Sequence, residues 1–179
     1  MILKKNDHFT RFYVLMRAGI LKEADYTRLK SQAPRVALPK NIMSYTLDEY
    51  FGLLNATKNG DISIVSYMFA KQDKNFLKRL TVWRYFGILR EVEEQFSLIK
   101  RNFDAIPKPP MSQEAIQAGF DKLDFGDFGL LDYIAKRQHL TDEEAGKSIL
   151  GFVIMKLQND GKTAVCEWRM NELLKKKYK

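Results

Sequence analysis

The chain has 179 residues, 45% of them hydrophobic, with one cysteine and a formal charge of +8. That apolar fraction excludes a disordered chain, and the lone Cys166 excludes both an internal disulfide framework and a multi-cysteine zinc site. A chain of this size can bury about 68–70% of its unfolded surface, so its core needs no metal or disulfide staple.

Taken in chain order, the patterning predicts an all-α protein, a helical globule around one long amphipathic helix. Asp7 is placed to cap a short aromatic helix that ends at Gly19, in the position after the last turn that favours glycine. Two prolines, Pro34 and Pro39, then break the chain. Thr46-Leu-Asp-Glu49 is a capping box, and the helix it opens should stop near Asn59-Gly60. Asp61 caps a segment holding Ile62, Ile64, Val65, Met68 and Phe69, whose pattern fits a short helix or a strand. The central helix is expected over about 75–103. Its stripe is Phe76, Leu80, Trp83, Phe86, Leu89, Val92, Phe96, Ile99 and Phe103, in steps of three and four. That stripe reads as core or as an exposed groove for a partner.

Pro107-Lys-Pro-Pro110 ends any preceding helix. It divides the chain into an N-terminal helical region 1–106, a joint 107–110, and a C-terminal helical region 111–179 expected to pack on the first. Beyond it, Ser112 caps 113–123, Asp127 caps 128–137, and Thr141-Asp-Glu-Glu144 is a second capping box opening a helix through Leu157. Two readings compete for 152–168. Asn159-Asp-Gly161 either bends a helix or turns a small β-hairpin, and the helix formers after Arg169 favour the helix. Cys166 is expected to be buried on the last helix.

Motifs of chemistry are sparse. Asp124-Phe-Gly126 and Asp127-Phe-Gly129 repeat a kinase tripeptide without the Gly-rich loop, β3 lysine or catalytic loop that a kinase needs. They read as a glycine-punctuated connector in which Phe125 and Phe128 anchor into the core or present a partner surface. His8 and His139 lack ligands at metal spacing, and His139 suits a helix C-terminal dipole. The expectation is therefore no enzyme, no catalytic residue, no metal and no cofactor. The longest apolar run, near 151–155, is far short of the ~20 residues of a membrane span, and no signal-peptide core follows Met1.

Charge is unevenly placed. Residues 104–144 carry nine acids against four bases, a net of −5, so the remainder carries +13. Such a chain can bind nucleic acid, pair with itself, or meet a complementary partner. Lys175, Lys176, Lys177 and Lys179 are the candidate phosphate contacts, with Arg11, Arg17 and Arg28 in support. Trp83, Phe86, Phe125 and Phe128 are the candidate partner contacts.

Three stretches give the chain a family likeness: Ser44–Phe51, Leu80–Gln95, and Ala118–Gly129 followed by Asp132–Arg137. Their layout is a capping box, a Trp-aromatic helix, a proline hinge, a glycine-aromatic turn and a helix ending in basic residues. In this it resembles small, chaperone-like phage and prophage tail-assembly proteins. The resemblance implies a helical, non-enzymatic protein that binds other phage structural or assembly proteins in a bacterial cytoplasm, or that stays with the virion. The alternative is a basic nucleic-acid-binding module.

Overall fold

A computed structural model of the chain describes residues 8, 11, 12, 14, 15, 18, 22–69, 75–119, 122 and 126–178. Among them the fold is mostly helical, without a sheet: α1 Glu23–Gln32, α2 Leu47–Lys58, α3 Asp61–Phe69, α4 Val82–Asp104, α5 Gln113–Gln117, α6 Gly126–Gln138, α7 Asp142–Gly146 and α8 Leu150–Lys177. Arg11, Phe12, Val14 and Leu15 are also helical, while the expected caps Asp7 and Gly19 lie outside the described residues. The chain forms two compact units, one of Met1–Ile42 with Glu49–Ser97 and one of Met43–Asp48 with Leu98–Lys179. The division falls inside α4, and the proline segment 107–110 belongs to the second unit.

The capping pattern places the start of α2 correctly at Leu47, and in the first unit Gly60, with φ +92°, ends the turn that follows that helix. The ambiguous stretch after Asp61 is helix, with Ile64, Val65, Met68 and Phe69 inward. The long helix is shorter at its start than the periodicity predicts. Phe76–Arg79 forms a 3-10 turn and Leu80 is extended. The helix proper opens at Val82, with the Thr81 hydroxyl accepting from the Arg84 N–H. Phe76 stacks on Phe69, ring centroids 4.2 Å apart, which seats that turn as a separate element. From Val82 to Val92, α4 buries a wide face that includes Tyr85 and Ile88, both outside the predicted stripe. Phe86 is wholly enclosed, edge-on to Phe12, Tyr26 and Tyr85, whereas Trp83 and Phe96 are only half-buried. Of these three members of the stripe, the core reading holds for Phe86, while Trp83 and Phe96 are only partly covered. Helix α1 was not predicted, and its lack of any buried residue explains why no stripe announces it. It is tied down from outside: the Arg90 guanidinium donates to the carbonyls of Ser31 and Ala33 at its C-terminal end.

In the second unit, Ser112 caps α5 by accepting from the Ala115 N–H at 3.2 Å, but the helix stops at Gln117 instead of Leu123. Thr141 and Glu144 form the expected reciprocal capping box. The helix they open also ends early, at Gly146, because the chain there meets residues 45–47. Leu47 N–H donates to the Ser148 carbonyl at 2.9 Å, and Leu150 N–H donates to the Tyr45 carbonyl at 2.8 Å. These bonds flank an antiparallel bridge between Thr46 and Ile149. Backbone groups used in that bridge cannot continue a helix, so α7 and α8 are separate.

Helix α8 is continuous over 28 residues, which overturns the hairpin near 152–168. Asn159-Asp-Gly161 neither turns nor breaks the chain. A Cβ on Gly161 would overlap the Pro107 carbonyl oxygen, so the glycine lets the proline segment cross the helix at backbone contact. The Gln158 amide, three residues earlier on the helix, donates to the Asn102 carbonyl.

Two stability measurements follow. Phe86→Ala is expected to cost about 3–5 kcal/mol and Trp83→Ala clearly less, checked by chemical denaturation of both variants. Gly161→Ala gains about 1 kcal/mol by helix propensity alone. Forcing a methyl against a fixed carbonyl costs about 1–3 kcal/mol, so the variant is expected to be less stable than the wild type. A stabilised Gly161→Ala would mean that the segment does not cross there.

Candidate protein-interaction surface

The second unit holds its helices together by a few specific ties and leaves much apolar surface outside them. Arg137, near the end of α6, grips Asp160 of α8 through both carboxylate oxygens at 3.0 and 3.2 Å, and the Tyr133 hydroxyl donates to the same carboxylate. The hydrogen bond from Arg137, then that from Tyr133, holds the Asp160 carboxyl below its usual value. Burial, reinforced by Asp160, pushes the Tyr133 phenol up to about 12. Arg137, Lys156, Asn159 and Asp160 line a small cavity of about 240 Å³ beside this tie. His139 takes φ 55° at the end of α6, the left-handed position usually given to glycine, and the Leu140 N–H bonds back to the Ala135 carbonyl.

The buried face of α8 is short. Leu150, Val153 and Ile154 are enclosed, Leu157, Gly161, Ala164 and Val165 are half-buried, and from Cys166 to Tyr178 every residue but Glu172 is exposed. The outward side of the same helix is also apolar. Phe152 and Met155, then Cys166, Met170 and Leu173, lie on one side at steps of three and four, with the polar Asn159 and Lys162 filling the same side between the two groups. Lys156 lies over the Phe152 ring at 5.0 Å. A helix with two apolar faces packs one inside and offers the other to something else.

The predicted site residues fall differently. Phe86 is core and offers nothing to a partner. Trp83 is half-buried, and Phe125 lies outside the described residues. Phe128 is 62% exposed on α6, which removes the reading that it anchors the core and leaves it available for contact. Lys175, Lys176 and Lys177 are exposed at the end of α8, Lys175 bridging Glu172 at 2.9 Å, and Lys179 lies outside the described residues. Cys166 is exposed, contrary to expectation, at the point of α8 beyond which every residue except Glu172 is exposed. Met170, Leu173 and Leu174 were missed. Their steps of three and four onward from Cys166 are the signal that could have found them.

The first unit carries a polar cleft of about 450 Å³ lined by Tyr26, Thr27, Lys30, Ser31, Arg90 and Glu93. Its charges are already committed. Lys30 pairs with Glu93, Arg90 with Glu94 and two carbonyls, and Tyr26 donates to Asp61. Burial, then the Glu93 charge, raises the Asp61 carboxyl above its usual value. Among the described residues no cluster of three metal-ligating side chains occurs, and no helix is long and apolar enough to cross a membrane.

The Asp160 tie has a pH signature. A carboxyl whose native value is lowered adds stability above its usual value of 3.8 and loses it as the pH falls through the native value. Asp160→Asn is therefore expected to be less stable than the wild type at neutral pH, with the gap closing below that range. Its Tyr133 phenol should titrate lower than in the wild type. Denaturation across pH and ultraviolet titration of tyrosine check the two effects.

Comparison with protein-family models, curated proteins and solved structures finds no match to this chain.

Proposed function

We propose that this is a non-enzymatic assembly protein of the phage and prophage tail-assembly type, acting through protein–protein contacts made by its second unit. The observation that carries the reading is the distribution of exposed apolar side chains. Among the described residues, every large exposed hydrophobe except Val14 belongs to the second unit. The first unit keeps its aromatic payload inside, around Phe86, while the second displays Phe128, Phe152, Met170 and Leu173 to solvent. Large apolar side chains left in water on one unit are the usual mark of a protein contact. The resemblance of the three stretches to tail-assembly proteins supplies the class of partner: other phage structural or assembly proteins, met in the bacterial cytoplasm or retained in the virion.

The second reading is nucleic-acid binding, favoured by the exposed Lys175, Lys176 and Lys177. It is the weaker one, because these lysines are not interleaved with a basic, aromatic groove of the kind that grips single strands.

Capture from the native host separates the two. The wild type is expected to recover tail components, and Leu173→Glu and Phe128→Glu variants, folded by circular dichroism, are expected to lose them. Recovery of the same proteins by both variants would contradict the proposal. Recovery of nucleic acid alone, with duplex affinity falling steeply as salt rises, would put the second reading first.

A further inference from the structure

Resting on the reading of α8 as an interaction surface, we propose that its far half is occupied by the acidic segment of a second copy of this chain, each copy giving its helix to the other. Residues 162–177 carry Lys162, Arg169, Lys175, Lys176 and Lys177 against Glu167 and Glu172, a net of +3, while 104–144 carries −5. Both stretches belong to the same unit. Yet among the described residues no ion pair joins them. Lys175 bridges only within its own helix, to Glu172, and the acids pair locally as well, Asp132 with Lys136 and Glu143 with Lys147. The two stretches thus carry opposite net charge, and the ion pairs of Lys175, Asp132 and Glu143 all lie within their own neighbourhoods.

Each field also carries apolar side chains. Met170, Leu173 and Leu174 are exposed beside the basic residues, and Met111, Ile116 and Phe128 are exposed within the acidic segment. Apolar groups supply the affinity of such a contact, while opposite charge around them steers the encounter and sets the register. When a helix from one copy lies on the acidic segment of the other, and the reverse holds, the contact is made twice about a two-fold axis and the assembly closes as a dimer. Doubling is what lets a short helix end reach the roughly 1,200 Å² that a specific interface buries. A second copy fits better than an unrelated acidic protein because the chain itself supplies every complementary feature.

Light scattering of the full chain over a range of concentrations, at about 0.05 and 0.5 M salt, tests this. The wild type should form a dimer that weakens as salt screens the contact. Leu173→Asp should be monomeric. Reversing Lys175, Lys176 and Lys177 to Glu should weaken the dimer about a hundredfold or more, as should reversing Asp142 and Glu143 to Lys. Mixing the two charge-reversed variants should restore a dimer, because each mixed pair contains two attractive contacts and each unmixed pair two repulsive ones. That rescue also shows that both variants are folded. A wild type that stays monomeric throughout, a dimer indifferent to both reversals, or a mixture that fails to pair overturns the inference. If the chain is monomeric and host partners are still lost in Leu173→Glu, only the identity of the occupant is wrong. If those partners are retained as well, the surface itself is wrong.

Discussion

The second unit depends on a short backbone clamp. Two hydrogen bonds, Leu47 to Ser148 and Leu150 to Tyr45, close around the bridge between Thr46 and Ile149. They join segments about a hundred residues apart and satisfy groups that a helix would otherwise use. The clamp therefore decides where α7 ends, where α8 begins and which way α8 is rolled. With Leu150, Val153 and Ile154 turned inward, the helical repeat turns Phe152, Met155 and Met170 outward. The outward face is a consequence of the clamp, carried along a continuous helix through the Arg137–Asp160 tie and the Pro107 crossing at Gly161.

The two units use apolar residues in opposite ways. The first wraps aromatic rings around Phe86, and Arg90 satisfies the carbonyls where α1 ends. The second has a small core, of which Leu47, Ile134, Ala145, Leu150 and Val153 are the most enclosed members, and leaves comparable side chains in water. Exposed Leu and Met side chains give up about 1.5–3 kcal/mol each of burial. A fold that leaves several on one helix carries the apolar surface on which the proposed protein contact rests.

How far this was legible in the sequence depended on whether the controlling contact was local. Capping at Ser112 and Thr141, the stop at Gly60 and the aromatic stripe of α4 follow from neighbouring residues, and the helical class with them. The break between α7 and α8 does not, because its cause is the backbone of residues 45–47. Gly161 was misleading for the same reason: Asn-Asp-Gly has the letters of a turn, and only the position of Pro107 shows that the glycine serves a crossing. Thr81 ends an apparently unbroken stripe because Phe76 stacks on Phe69. Of the candidate site, Phe128 and the lysines were found by composition. Phe86 was misassigned between core and surface, since periodicity locates an apolar face without saying what covers it.

The single thiol offers the most direct check, since Cys166 sits among the outward residues of α8 and needs no mutation to report on them. The rate at which a small thiol reagent labels the native protein at high dilution should be measured against the rate for the denatured chain. Native labelling is expected within a few-fold of the denatured rate. Labelling that waits for unfolding would contradict it, because α8 would then be rolled with Cys166, Met170 and Leu173 inward.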